Sequence, residues 1–86
     1  MYKIEVSDSA SKFLEKLRTR QKNICDRIEN VIDSLQTDPL KGKKLIGELS
    51  HMRALRVGDY RILYTVIASQ ILIQIIKIGH RREIYR

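Results

Sequence analysis

Tyr2, Ile4 and Val6 alternate with Lys3 and Glu5, the two-residue period of a half-buried strand. Ser7, Asp8, Ser9 and Ser11 follow, residue types whose side chains accept from the unpaired N–H groups of a helix start. Ala10, Phe13, Leu14 and Leu17 then recur at i, i+3, i+4 and i+7, which predicts a helix with one apolar face. The segment Arg18-Thr19-Arg20-Gln21 breaks that pattern. A second stripe of Ile24, Ile28, Val31, Ile32 and Leu35 predicts another helix, stopped at Thr37-Asp38-Pro39 because proline restricts the residue before it. Two antiparallel helices joined by a short connection are the simplest outcome.

From residue 40 the texture changes. Residues 40–51 contain two glycines and three lysines and read as a mobile basic loop. Residues 52–57, 60–67 and 70–78 read as strands, rich in β-branched and aromatic side chains. Gly58-Asp59 and Ala68-Ser69-Gln70 between them are short enough for hairpin turns. The expected fold is α+β: an N-terminal strand, a helical hairpin, then a three-stranded antiparallel meander. The helices pack on one face of a four-stranded antiparallel sheet, which buries both apolar sets. The 86 residues give a single domain, 1–86, with no room for two cores.

Composition narrows the setting. One cysteine leaves no internal disulfide and suits a reducing compartment. Cys25 lies at i, i+3 and i+7 with Ile28 and Ile32, so it is expected to be a core thiol. The start lacks a basic segment followed by an apolar one, so no signal peptide is expected. The apolar run at 62–68 falls far short of the roughly 20 residues that span a bilayer. A cytoplasmic protein without membrane attachment is the resulting expectation.

Charge is informative once divided along the chain. Residues 1–40 hold seven Lys/Arg and seven Asp/Glu; residues 41–86 hold ten and three. The whole excess of +7 therefore lies in the second half, which points to a surface facing a polyanion. A phosphate loop is absent, because Lys41-Gly42-Lys43-Lys44-Leu45 lacks the first glycine and a following helix. His80 and Glu83 are three apart, but Arg81, Arg82 and Arg86 around them would repel a cation. Neither a metal nor another cofactor is expected.

On an alternating strand Arg61 shares a face with Leu63, Thr65 and Ile67, opposite Tyr60, Ile62, Tyr64 and Val66. An arginine in so apolar a strand is expected on the face away from the helices. If the next strand pairs in a tight hairpin, Arg61 and the segment Lys77 to Arg81 meet at one end of adjacent strands. Guanidinium presents a rigid fork to phosphate oxygens. Preplaced cations also stabilise the charge that builds on those oxygens when a ribose 2′-OH attacks phosphorus. Such chemistry needs no metal, but it needs a group that moves a proton. His80 and Tyr85 are the available ones, and Tyr85 could instead stack on a base.

The stretch Leu55-Arg56-Val57-Gly58-Asp59-Tyr60-Arg61-Ile62-Leu63-Tyr64-Thr65-Val66, followed by Ile75 to Arg86, resembles the signature of RelE-type toxins of the RelE/ParE superfamily. The resemblance runs over the whole chain. It implies a ribosome-dependent mRNA endoribonuclease, the toxin of a type II toxin–antitoxin system, which inhibits translation by metal-independent 2′-OH attack. It also implies a cognate antitoxin partner in a toxin–antitoxin hetero-oligomer. Arg61 matches the family's phosphate-stabilising arginine and Arg81 a second near the leaving group. Tyr85 resembles the catalytic or base-stacking tyrosine, and His80 stands where some members have lysine. Lys41, Lys43, Lys44, Arg53, Arg56, Lys77, Arg82 and Arg86 are the implied RNA and ribosome contacts. Met52 and Ala54 depart from the pattern, since well-studied members carry two lysines there. Two other readings stay open: a ParE-like inhibitor of DNA gyrase, and a catalytically weak relative acting as a binding or co-repressor module.

Overall fold

The computed structural model describes residues 1–82. Its elements run β1 (Lys3–Val6), α1 (Asp8–Arg20), α2 (Lys22–Ser34), β2 (Lys43–Lys44), β3 (Arg53–Val57), β4 (Tyr60–Ile67) and β5 (Leu72–His80). Sequence patterning predicts nearly every element. The Arg18–Gln21 segment is not a break, however: α1 continues through Arg20, and Gln21 alone separates the helices.

One core joins the helices to the sheet. Ala10, Leu14 and Leu17 of α1 and Cys25, Ile28 and Ile32 of α2 pack with Leu35 on Ile62, Tyr64, Ile73, Ile75 and Ile78. Burying a Leu, Ile or Val side chain stabilises the fold by about 1.5–3 kcal/mol each. Cys25 is a core thiol as expected, with Leu14 O at 3.5 Å and Glu29 Oε1 at 3.3 Å from its sulfur. Burial pushes its pKa up.

The sheet departs from expectation in two ways. It has five strands, in the order β1-β5-β4-β3-β2, rather than four. It is also mixed: β1 runs parallel to β5, with Lys3 beside Leu72 and Val6 beside Ile75, while the other pairs are antiparallel. The two helices between β1 and the meander supply the long crossover that a parallel pair requires.

The extra strand arises where a mobile loop was expected. Lys43 and Lys44 pair with Ala54 and Arg53, and a buried tyrosine explains why. Tyr64 is wholly buried, so its hydroxyl needs partners there. It donates to Pro39 O at 2.8 Å and accepts from Gly42 N–H at 2.9 Å. Arg53 Nη1 adds a bond to Gly42 O at 2.8 Å. The basic loop is thereby clamped to the sheet.

Two turns close the meander. Gly58 takes φ +59° between β3 and β4, and Asp59 completes the turn. Between β4 and β5, residues 68–70 form a 3-10 turn rather than a two-residue hairpin, ending at Ile71 with φ 50° and ψ 49°. A β-branched residue in left-handed conformation is a genuine backbone outlier.

Candidate nucleic-acid interface

A β-bulge shapes the face of the sheet away from the helices. Leu63 pairs with Lys77 but Tyr64 pairs with Ile75, so Ile76 is the extra residue. Ile73 and Ile75 both face the helices. Regular alternation would carry Lys77 into the core with them. The bulge reverses the parity, sends Ile78 inward, and puts Lys77 and Gly79 on the face away from the helices. Ser7 holds the bulge in place: its hydroxyl donates to Ile76 O at 2.7 Å while accepting from Ala10 N–H at the start of α1.

Two rows of side chains result. In the first, Arg56 lies directly across from Arg61, and Arg61 across from Gly79. In the second, Lys43, Ala54, Leu63 and Lys77 are successive neighbours across four strands. Arg61 is half-buried, its Nε withdrawn from solvent, and its side chain is engaged with the protein. Gly79 itself adds no side chain beside Arg61.

The Gly58–Asp59 turn anchors Arg56 and brings in one further arginine, Arg81. Arg56 Nε donates to Gly58 O at 3.0 Å, and Arg81 N–H donates to Asp59 O at 2.8 Å. The Asp59 carboxylate also faces Arg81 Nε at 3.9 Å. Both side chains are exposed, so this pair contributes little stability, but it tethers Arg81 beside the Arg56–Arg61 row. Asp59 is a site residue that sequence reading missed. Its place in the turn was legible, but its contact with Arg81 depends on where β5 ends.

Other candidates are distributed more widely. His80 pairs with Tyr60, not Arg61, and its ring meets Tyr60 edge-on at 5.8 Å on the helix side. Its Nδ1 accepts Arg82 N–H at 3.3 Å. Arg53 likewise faces the helix side, where it binds the loop carbonyls. Lys41 bonds Ser34 Oγ at 2.8 Å. Lys43, Lys44 and Arg82 are exposed. Tyr85 and Arg86 lie outside the described residues. Among the described residues no three His, Cys, Asp or Glu side chains come together as metal ligands. No described helix is long and apolar enough to cross a membrane.

The helical hairpin packed on one face of the sheet matches the fold of solved RelE toxins. The chain belongs to the family described as the ParE toxin of the type II toxin–antitoxin system, whose model matches residues 4–85. It is 31% identical over 86 residues to toxin RelG of Mycobacterium tuberculosis, covering 99% of this chain and 97% of that one. Toxin RelE of the same organism is 29% identical over 86 residues, at 99% and 87% coverage. Among solved structures, the RelBE2 toxin–antitoxin complex of M. tuberculosis superposes with a TM-score of 0.79 at 29% identity, covering 93% of this chain and 98% of that one. An archaeal RelE–RelB complex from Pyrococcus horikoshii gives 0.77 at 26% identity, covering 95% and 97%.

Proposed function

We propose that this toxin is a ribosome-dependent mRNA endoribonuclease whose phosphate clamp is formed by Arg61 and Arg81. The observation that carries the reading is the Arg56–Arg61 cross-strand pair. Like charges directly opposite each other destabilise a sheet, so an unselected surface would not favour them. An anion between them reverses the sign. A phosphodiester bound at this end of the sheet would meet Arg61 from β4 and Arg81 from the end of β5, with Lys43 and Lys77 flanking it.

In the proposed reaction a ribose 2′-oxygen attacks the adjacent phosphorus, the bond to the 5′-oxygen breaks, and a cyclic phosphate remains. Arg61 stabilises the charge gathering on the equatorial oxygens, and Arg81 that on the departing oxygen. The 2′-OH proton leaves to a base, and a proton is returned to the 5′-oxygen. His80 and Tyr85 are assigned to these transfers. The His80 ring is turned to the helix side, so it would reach the substrate only around the end of β5, which favours Tyr85. Lys43 stands beside Ala54 and supplies an ammonium on a face where Met52 and Ala54 carry none. The proposed setting is the cytoplasm and the proposed partner an antitoxin, since relatives are solved as toxin–antitoxin complexes; its acidic residues would lie over the arginine face.

A second reading, inhibition of DNA gyrase, is favoured by the description of the matching family. Parallel assays of reconstituted translation and gyrase supercoiling separate the two. Arrest of translation with supercoiling intact supports the nuclease; the reverse result would overturn it.

A further inference from the structure

The first forty residues are neutral in sum, yet three cations of α1 line up after Asp8, which begins their stripe one turn earlier. Lys12, Lys16 and Arg20 fall at i, i+4 and i+8, all exposed, and form one stripe along the helix. Successive members are about 6 Å apart along the axis, a step close to that between phosphates of an extended single strand. Neither acidic residue of α1, Asp8 or Glu15, lines the space beside this stripe.

That space is a chain of grooves. One of about 380 Å³ is lined by Lys12, Phe13 and Lys16 of α1 and by Lys77 and Gly79 of β5. Another of about 240 Å³ shares Phe13 and Lys16 with it and continues past Arg20 to Tyr60 and His80. A third of about 400 Å³ carries on from Tyr60 and His80 to Gly58 and Asp59, the turn that tethers Arg81. The grooves exist because β1 leaves β5 at Ile75, so that among the described residues Lys77 to His80 form an edge flanked by α1.

The floor is aromatic. Phe13 and Tyr60 meet edge-on at 5.8 Å, and Tyr60 and His80 do the same at 5.8 Å. Cations spaced along one wall above half-buried rings are the two elements of sequence-tolerant single-strand recognition: charge for the backbone and rings for the bases.

We infer that the α1–β5 groove is a track for single-stranded RNA, held by Lys12, Lys16 and Arg20 and leading around the end of β5 to Arg81. The inference rests on the RNA-cleavage reading and assigns it a second binding face, on the helix side of the sheet. The helix-side placement of His80 then has a role, as a stacking ring at the point where the strand turns toward the arginines.

The test is fluorescence anisotropy of the full chain with a labelled ten-nucleotide RNA, 2′-O-methylated throughout so that 2′ attack is blocked. Affinity is measured across a salt series for the wild type, for Lys12→Ala/Lys16→Ala/Arg20→Ala, for Phe13→Leu and for Arg61→Ala. Each single-strand phosphate contact contributes about 0.7 to the log–log salt slope, so the triple variant should flatten it by about 2. Phe13→Leu should weaken binding at least about fivefold with the slope unchanged. The substituted charges are exposed, and circular dichroism should show the fold retained. An unchanged slope and affinity in the triple variant would overturn the track. Loss of binding to a polyglutamate peptide but not to RNA would overturn it in favour of an acidic protein partner. Arg61→Ala separates the two claims: it should abolish ribosome-dependent cuts while leaving the triple variant's effect on the slope intact.

Discussion

Arg56 on β3 sits directly opposite Arg61 on β4, a like-charge pair across adjacent strands. Its cost should be measurable. Replacing Arg56 with Thr should stabilise the free protein by about 0.2–1 kcal/mol, because the repulsion goes and a β-branched residue enters a strand. Added phosphate should stabilise the wild type more than the variant. Urea unfolding with and without phosphate reads both effects; a variant less stable than wild type in phosphate-free buffer would contradict the account.

Ser7 joins α1 to the bulge that turns Lys77 outward. Ser7→Ala removes an N-cap and leaves Ile76 O without that donor. A loss of about 1–2 kcal/mol is expected. The bulge should loosen as well, so amide exchange at residues 76–78 should accelerate more than in the middle of α2.

Tyr64 clamps the basic loop. Tyr64→Phe strips a partner from both Gly42 N–H and Pro39 O and should cost about 1–3 kcal/mol. Gly42→Ala should cost a similar amount, because its Cβ would lie 2.6 Å from the Tyr64 hydroxyl. Burial holds the Tyr64 pKa above its usual value, with the Gly42 N–H opposing in part. The unfolded chain therefore loses this proton first, and stability conferred by Tyr64 is present below about pH 10 and falls as pH rises beyond it. Alkaline unfolding curves of wild type and Tyr64→Phe should converge as pH rises.

Ile71 is half-exposed and adopts a left-handed conformation, which costs a β-branched residue roughly 1–2 kcal/mol. Ile71→Asn should raise the thermal midpoint, since asparagine tolerates that region. The Ile71 carbonyl still accepts from Lys3 N–H, so β1 pairing should be unaffected. A lower midpoint would show that the Ile71 side chain contributes more than its conformation costs.

What the sequence reveals and conceals follows from the range of each cause. Helix stripes such as Ala10/Leu14/Leu17 and Ile28/Ile32/Leu35 are local, and the core uses them as patterned. The alternation of Tyr60 to Ile67 likewise places Arg61 away from the helices. The bulge at Ile76 was not legible, because it depends on Ser7 sixty-nine residues away. Nor was β2, which Tyr64 fastens across twenty-two residues. His80 looked like a companion of Arg61 because it is adjacent to Gly79, yet one step along a strand changes the face. The Lys12–Lys16–Arg20 stripe was hidden by summing charge over a segment, when it is the distribution around the helix that matters.

The central claim is that the arginine face cleaves RNA. Primer extension on mRNA in a reconstituted translation system, with and without ribosomes, tests it most directly. Wild type should produce cuts at the ribosomal decoding site only when ribosomes are present, and Arg61→Ala and Arg81→Ala should each lose them by at least about a hundredfold. Cuts that persist at wild-type rate in both variants, or translation that proceeds normally with wild type present, would contradict it.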